Sequence, residues 1–220
     1  YDKDQLKIKG KGEVLIDEKS DSINYQIIKY NEKFIFDIKT NIKNNKLLID
    51  FLNYEKKENL EASILIKGDY KKNHSIKFNL ISLVENNNKI SFKNLNLSKD
   101  FKIMNIDSFN FNYLNNKKIK NKLYLKKNNL NYVIEGDNFD ATTLINKIMD
   151  SDDENISLFS NFNSKINIKI NKTYIDEINF INNLYGSLNF KNNKIDYLDF
   201  KSTFSNNKIL NLSITTNNQQ

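Results

Sequence analysis

The stretch Ser108-Phe-Asn-Phe-Asn-Tyr-Leu114 runs through Asn115-Asn-Lys-Lys-Ile119 into Lys120-Asn-Lys-Leu-Tyr-Leu125. Phe109, Phe111 and Tyr113 take every second position with Asn110 and Asn112 between them, and Ile119, Leu123 and Leu125 resume the alternation. A period of two puts alternate side chains on opposite faces of an extended strand. Asn tolerates the left-handed backbone that tight hairpins need, so Asn115-Asn116 reads as a turn between two antiparallel strands. One face of the pair is apolar and the other polar, which is the signature of a sheet buried on one side.

The same alternation recurs in both directions from this hairpin. Toward the N-terminus it gives Leu6, Ile8, Val14 and Ile16 opposite Lys7, Lys9, Lys11 and Glu13; Phe34, Phe36, Ile38 and Ile42; Leu60, Ala62, Ile64 and Ile66; and Ile76, Phe78 and Leu80. Toward the C-terminus it gives Leu130, Tyr132 and Ile134; Ile166, Ile168 and Ile170; Leu184, Leu188 and Phe190; Leu198, Phe200 and Phe204; and Leu210, Leu212 and Ile214. Asn-Asn pairs at 44–45, 87–88, 128–129, 192–193 and 206–207 each precede a new run. Short hairpins repeated in this way predict an all-β antiparallel meander. Residues 140–149 break the period: Leu144, Ile145, Ile148 and Met149 stand at helical spacing behind Asp140, a good N-cap, and the acidic run Asp150–Glu154 follows. The expectation is a short amphipathic helix docked on the sheet, then a loop. That loop divides a larger β block, 1–150, from a smaller one, 151–220, that continues the same sheet or groove.

Composition narrows the possible functions. There is no Cys, Pro or Trp, five Gly and one His, and the net charge is +7. Lys, Asn and Ile dominate, as AT-rich codons favour, so the basic balance reflects base composition as much as a partner. The lysines alternate along strands opposite the aromatics, whereas a nucleic-acid platform needs both on one surface; no nucleic-acid partner is expected. A single histidine, His74, excludes histidine-rich metal sites and histidine-based triads. Asp150–Glu154 fails as an EF-hand, since its sixth and twelfth positions are Asn155 and Asn161. The carboxylate pairs Asp176-Glu177 and Asp196 with Asp199 sit among strand polar positions with nothing to orient them as a glycosidase dyad. Gly10-Lys11-Gly12 lacks the spacing of a phosphate-binding loop. No apolar run reaches the length of a membrane-spanning helix. The expectation is a binding or structural segment without catalytic residues, cofactor or metal, and the start Tyr1-Asp2-Lys3-Asp4 reads as the beginning of a fragment.

Four stretches resemble AsmA-like envelope proteins, in particular the large YhdP-type members. They are Leu52-Asn-Tyr54-Glu-Lys56-Lys-Glu-Asn-Leu60-Glu-Ala62, with its tyrosine–lysine turn, and Leu95-Asn-Leu97 through Phe101-Lys-Ile103 to Ile106-Asp107. The others are Tyr132-Val-Ile134-Glu-Gly136-Asp-Asn-Phe139-Asp140-Ala-Thr-Thr-Leu144-Ile145 and Leu184-Tyr-Gly186-Ser-Leu188. The chain departs from the family in its scarcity of Ala and Gly. The resemblance implies a long curved sheet whose concave apolar face forms a groove for phospholipid acyl chains. The parent would be a periplasmic protein held in the inner membrane by an anchor outside this stretch, serving outer-membrane biogenesis. Phe109, Phe111, Leu123, Leu125, Ile166, Ile168, Leu188 and Phe190 are then the expected groove lining. The rival expectation is a closed β-sandwich acting as a spacer or adhesion module. Both architectures bury the same alternation, so the sequence leaves the two open.

Overall fold

The computed structural model describes residues 5–16, 18–72, 74–149, 160, 162–192 and 194–216. Its strands are β1 (Gln5–Ile16), β2 (Lys19–Tyr30), β3 (Lys33–Ile42), β4 (Leu47–Ile49), β5 (Tyr54–Lys56), β6 (Ala62–Lys71), β7 (Ile76–Glu85) and β8 (Asn88–Leu97). They continue with β9 (Ile103–Asn105), β10 (Ser108–Leu114), β11 (Lys120–Asn128), β12 (Asn131–Asp140), β13 (Ser164–Tyr174), β14 (Phe180–Lys191), β15 (Lys194–Phe204) and β16 (Ile209–Thr215). A 3₁₀ turn covers Asp50–Leu52, and α1 (Thr142–Met149) is the one α-helix among the described residues.

Fourteen strands form a single sheet in the order β1-β2-β3-β6-β7-β8-β10-β11-β12-β13-β14-β15-β16, with β9 paired to β8. β1 and β16 lie at opposite ends of that order, so the sheet is open and not a barrel. Strand accounts for well over half of the chain, and neighbours are antiparallel with one exception. β12 and β13 run parallel, with Tyr132 beside Ile166 and Ile134 beside Ile168. The expected meander fails here, because parallel neighbours cannot be joined by a hairpin. The connection that carries α1 supplies the crossover. It also keeps the blocks before and after it in one continuous sheet, although its acidic run at 150–154 lies outside the described residues.

Asn provides most of the turns. Of twelve non-glycine residues with positive φ among the described residues, nine are Asn. Asn129, Asn192 and Asn207 adopt the left-handed conformation at predicted hairpins. At 87–88 the turn lies one residue earlier, with Asn86 at positive φ, and Asn88 already pairs with Glu85. At 115–119 Lys118 takes the left-handed position, while the Asn115 side-chain oxygen accepts the Lys117 and Ile119 N–H groups. Asn44-Asn45 is not a sheet hairpin at all. Asp21 Oδ1 accepts the Lys43 and Asn44 N–H groups at 2.8 and 2.9 Å, and its Oδ2 accepts the Asn45 N–H and side-chain amide. The chain is thereby turned out of the sheet into a small flap, β4-turn-β5.

Three apolar residues assigned to strands lie elsewhere. Leu60, Ile119 and Leu130 sit in connections. Leu80 is in β7 but on the polar face, paired with Lys67 and Lys93, because a bulge between Lys67 and Gly68 shifts the register. A bulge inserts one residue on one strand, so every position beyond it changes face.

Candidate functional site: the apolar face

Residues paired across neighbouring strands share a face, so the register lists draw rows across the sheet. One row passes Gly10, Tyr25, Ile38, Ile66, Ile81, Phe92, Phe109, Leu125, Ile134, Ile168, Gly186, Phe200 and Leu212, touching all thirteen strands in order. No charged residue interrupts it. The row one step along the strands reads Ile64, Leu83, Ile90, Phe111, Leu123, Gly136, Ile170 and Leu184. The opposite face carries Lys9, Lys39, Lys67, Lys122, Glu135 and Lys169. It carries shallow depressions, among them one lined by Lys9, Asn24, Asp37 and Lys39 and another lined by Lys122, Glu135, Asp137 and Lys169.

Two covers lie on the apolar face, one toward each end of the central strands. The first is the flap. Its Leu47, Ile49, Leu52 and Tyr54 pack on Leu83, Ile90, Phe111, Tyr113 and Leu123, joined by Ala141 just before α1 and Leu144 within it. Tyr54 meets the Tyr113 ring edge-on at 5.7 Å, and its hydroxyl donates to buried Glu85 at 2.6 Å. The Tyr113 hydroxyl donates to the Leu52 carbonyl at 2.8 Å. Burial, reinforced by Glu85, pushes the Tyr54 phenol well above its usual range, and burial does the same for Tyr113, so both remain neutral donors. Lys56, the last residue of the flap, is fully buried and donates to the Lys43 and Asn45 carbonyls at 2.9 and 2.5 Å. Burial lowers its pKa, against the pull of Asp21, Glu85 and Glu58. Burial also raises the Asp21 pKa, but the Asn44 and Lys43 N–H groups and the Asn45 contacts outweigh that and leave it below the usual carboxylate range. α1 is tethered through Asp140, the last residue of β12, which accepts the Thr142 N–H at 3.1 Å. The side chains of Ile148 and Met149 lie outside the described residues.

The second cover gathers Ile103 of β9, Ile106 and Phe162 over Leu95, Leu125, Tyr132 and Ile166. Tyr132 and Phe162 stand 5.5 Å apart between ring centroids, and Phe190 meets Phe162 edge-on at 5.3 Å.

Between the covers the face is more open. Along β8 the apolar-face residues read buried Ile90, half-buried Phe92 and buried Leu95. β12 repeats this with Tyr132, Ile134 and Phe139, and β13 with Ile166, Ile168 and Ile170. On β15, half-buried Phe200 lies between buried Leu198 and Ser202. The half-buried members all belong to the thirteen-strand row. On β8, β12, β13 and β15 that row is the half-buried floor of a slot with buried residues along both sides, whereas on β11 its member Leu125 is buried under the second cover.

No family model matches the chain, and neither does any curated protein or solved structure.

All eight residues named as groove lining fall on this face, in unequal settings. Phe109 and Ile168 lie on the floor and are half-buried. Phe111, Leu123 and Leu125 are buried against the covers, Phe111 and Leu123 beneath the flap and Leu125 with Tyr132 and Ile166. Leu188 and Phe190 pack beside Phe162. The sequence reading missed the floor residues Tyr25, Ile38, Ile81 and Phe92 as a set, because membership depends on register between strands. The signal for Tyr25 was present in the Ile23, Tyr25, Ile27 alternation of β2, which the adjacent Ile28 blurs. Among the described residues no group of three or more His, Cys, Asp or Glu side chains is placed to hold a metal ion, and no helix is long and apolar enough to cross a membrane.

Proposed function

We propose that the slot holds phospholipid acyl chains, and that the chain is a periplasmic segment of an AsmA-like envelope protein anchored in the inner membrane. Its task on this reading is to bind or conduct lipid toward the outer membrane without catalysis. The observation that carries the reading is the half-buried apolar row between two buried flanks. A core that only packs on itself is most buried at its centre, whereas here the centre of β8, β12 and β13 is the more exposed part. An alkyl chain laid along the row would cover Ile38, Ile81, Phe92, Ile134 and Ile168 and add about 25 cal/mol for each Å² taken out of water. Headgroups would lie toward water at the open margins of the face. The closed sandwich has less support, since the only second sheet among the described residues is the two-stranded flap.

The test is photo-crosslinking in Gram-negative cells with a photoreactive amino acid at Ile168 or Ile38 on the floor. Lys169 and Lys39 on the opposite face serve as controls. Phospholipid adducts at the floor positions and none at the lysines are expected. Equal labelling of both faces, or none at either, would replace the lipid slot with a structural spacer.

A further inference from the structure

The slot is not walled equally on all strands. On β8 the buried Leu95 shuts the half-buried floor off from the C-terminal end of the strand. On β7 the apolar face stays half-buried from Ile81 through Phe78 to Ile76, and on β3 from Ile38 through Phe36 to Phe34. The floor therefore runs out sideways between β3 and β7, to the margin of the face. One register row marks that margin: Lys29, Phe34, Tyr70, Ile76 and Leu97 lie side by side on β2, β3, β6, β7 and β8.

A cavity of about 610 Å³ opens at this margin, lined by Tyr70, His74, Ile76, Lys99 and Phe101. Small-molecule sites span about 300–1,000 Å³. The base of this one is apolar and its rim is basic. No carboxylate lines it, and neither Lys99 nor His74 makes an ion pair or a side-chain hydrogen bond among the described residues. Lys29 adds a second cation on the same margin, its ammonium 5.9 Å from the centre of the Phe34 ring. On the polar face, by contrast, Lys67 is matched with Asp37 and Lys122 with Asp137. The loop that carries Lys99 is fixed by its own hydrogen bonds. Ser98 Oγ accepts the Asp100 and Lys102 N–H groups at 3.3 and 3.1 Å, and the Phe101 N–H donates to the Ser98 carbonyl at 3.0 Å. Phe101 itself sits at φ +58°, a conformation that bulky side chains avoid, and is 71% exposed. Backbone strain of this kind collects at ligand sites. Here it holds an aromatic ring as an uncovered wall of the cavity.

We propose that this margin is the headgroup site of the slot: Lys99 and His74, with Lys29 alongside, hold the phosphate of a phospholipid whose acyl chains pass over Ile76 and Phe78 onto the floor. A phosphate offers several acceptor oxygens to the N–H donors of an ammonium and an imidazole, and charge-assisted hydrogen bonds are the strong ones. Tyr70 and Phe101 flank the place where the glycerol backbone would lie. The site rests on the acyl-chain reading of the slot, and the probes below separate the two.

The test titrates three soluble probes into the isotope-labelled 220-residue chain and follows the backbone amides by NMR. Dihexanoyl phosphatidylglycerol, kept below its micelle concentration, carries chains and phosphate. Dihexanoylglycerol has the same chains and no phosphate, and glycerol 3-phosphate has the phosphate and no chains. The phospholipid should bind most tightly and shift the amides of Ile76, Lys99 and Phe101. Lys99→Gln should weaken it about threefold and Lys29→Gln/Lys99→Gln about tenfold, the scale of one and two exposed ion pairs. Lys39→Gln, the same charge change on the opposite face, should leave it unchanged, and none of the variants should alter dihexanoylglycerol binding. All three lysines are exposed, so the variants should fold. Equal binding of the phospholipid and dihexanoylglycerol, indifferent to Lys99→Gln, would keep the slot and overturn the headgroup site. Glycerol 3-phosphate bound as tightly as the phospholipid would overturn it too, making the margin a site for free phosphate. Binding of none of the three probes would remove the slot reading and the headgroup site with it.

Discussion

Replacing Tyr54 by Phe removes one oxygen and tests whether the flap is fastened to the sheet as its geometry indicates. The Tyr54 hydroxyl donates to Glu85 Oε2 at 2.6 Å, where the other donor is the Asn88 side-chain amide at 2.9 Å. Both Tyr54 and Glu85 are buried, so water cannot freely take the place of the lost donor. A hydrogen bond to a charged group contributes about 1.5–3 kcal/mol net. The ring remains in place against Tyr113, so packing changes little. Loss of about 1.5–3 kcal/mol corresponds to a drop of about 0.5–1.5 M in the urea midpoint for an m-value of about 2–3 kcal/mol/M. The assay is urea unfolding followed by circular dichroism at neutral pH, with Tyr124→Phe on the exposed polar face as the control. The two variants should also differ with pH. The Tyr54 pKa is raised on folding, so its contribution is fully present below its unfolded value near 10 and is lost as pH rises toward the folded value. Wild type and Tyr54→Phe should therefore converge in stability above about pH 10. A midpoint shift no larger than that of Tyr124→Phe would refute the idea that this contact fastens the flap.

Leu144→Asp would place an unpaired charge where the helix packs on the central cluster, and should destabilise the fold by about 2–4 kcal/mol; an unchanged denaturation midpoint would show that α1 does not dock. Gly186 has φ +152°, and a Cβ there would lie 2.0 Å from the Asp199 carbonyl oxygen, so Gly186→Ala should lower the melting temperature, whereas Gly12→Ala, which meets nothing within 4 Å, should change it little. The Asp21 pKa is lowered on folding, so the stability it confers is present above its unfolded value of 3.8 and is lost as pH falls through the folded value. Asp21→Asn should accordingly flatten the acid limb of the stability–pH curve, measured by urea midpoints between pH 2 and 6; an unchanged limb would assign acid sensitivity to other groups.

That the chain is strand-rich, which side of most strands is apolar, and where the one α-helix of the described residues lies can all be read from residue order. These are local consequences of covalent geometry: residues two apart in an extended chain point the same way, as Phe109, Phe111 and Tyr113 do. Asn129 and Asn192 could likewise be read as turns, because tolerance of positive φ is a property of the residue itself. Leu80 was misread since a bulge depends on the partner strand as well as on its own neighbours. The fold alone shows that β12 and β13 run parallel, a matter of where the crossover chain returns. It also decided which apolar residues are covered. Phe111 and Phe109 are indistinguishable in the alternation, yet one lies under the flap and the other on the open floor. That difference comes from contacts between residues far apart in the chain, such as Tyr54 with Glu85 and Tyr113 with Leu52. A pattern of period two carries no information about them, since it says which way a side chain points and not what comes to meet it.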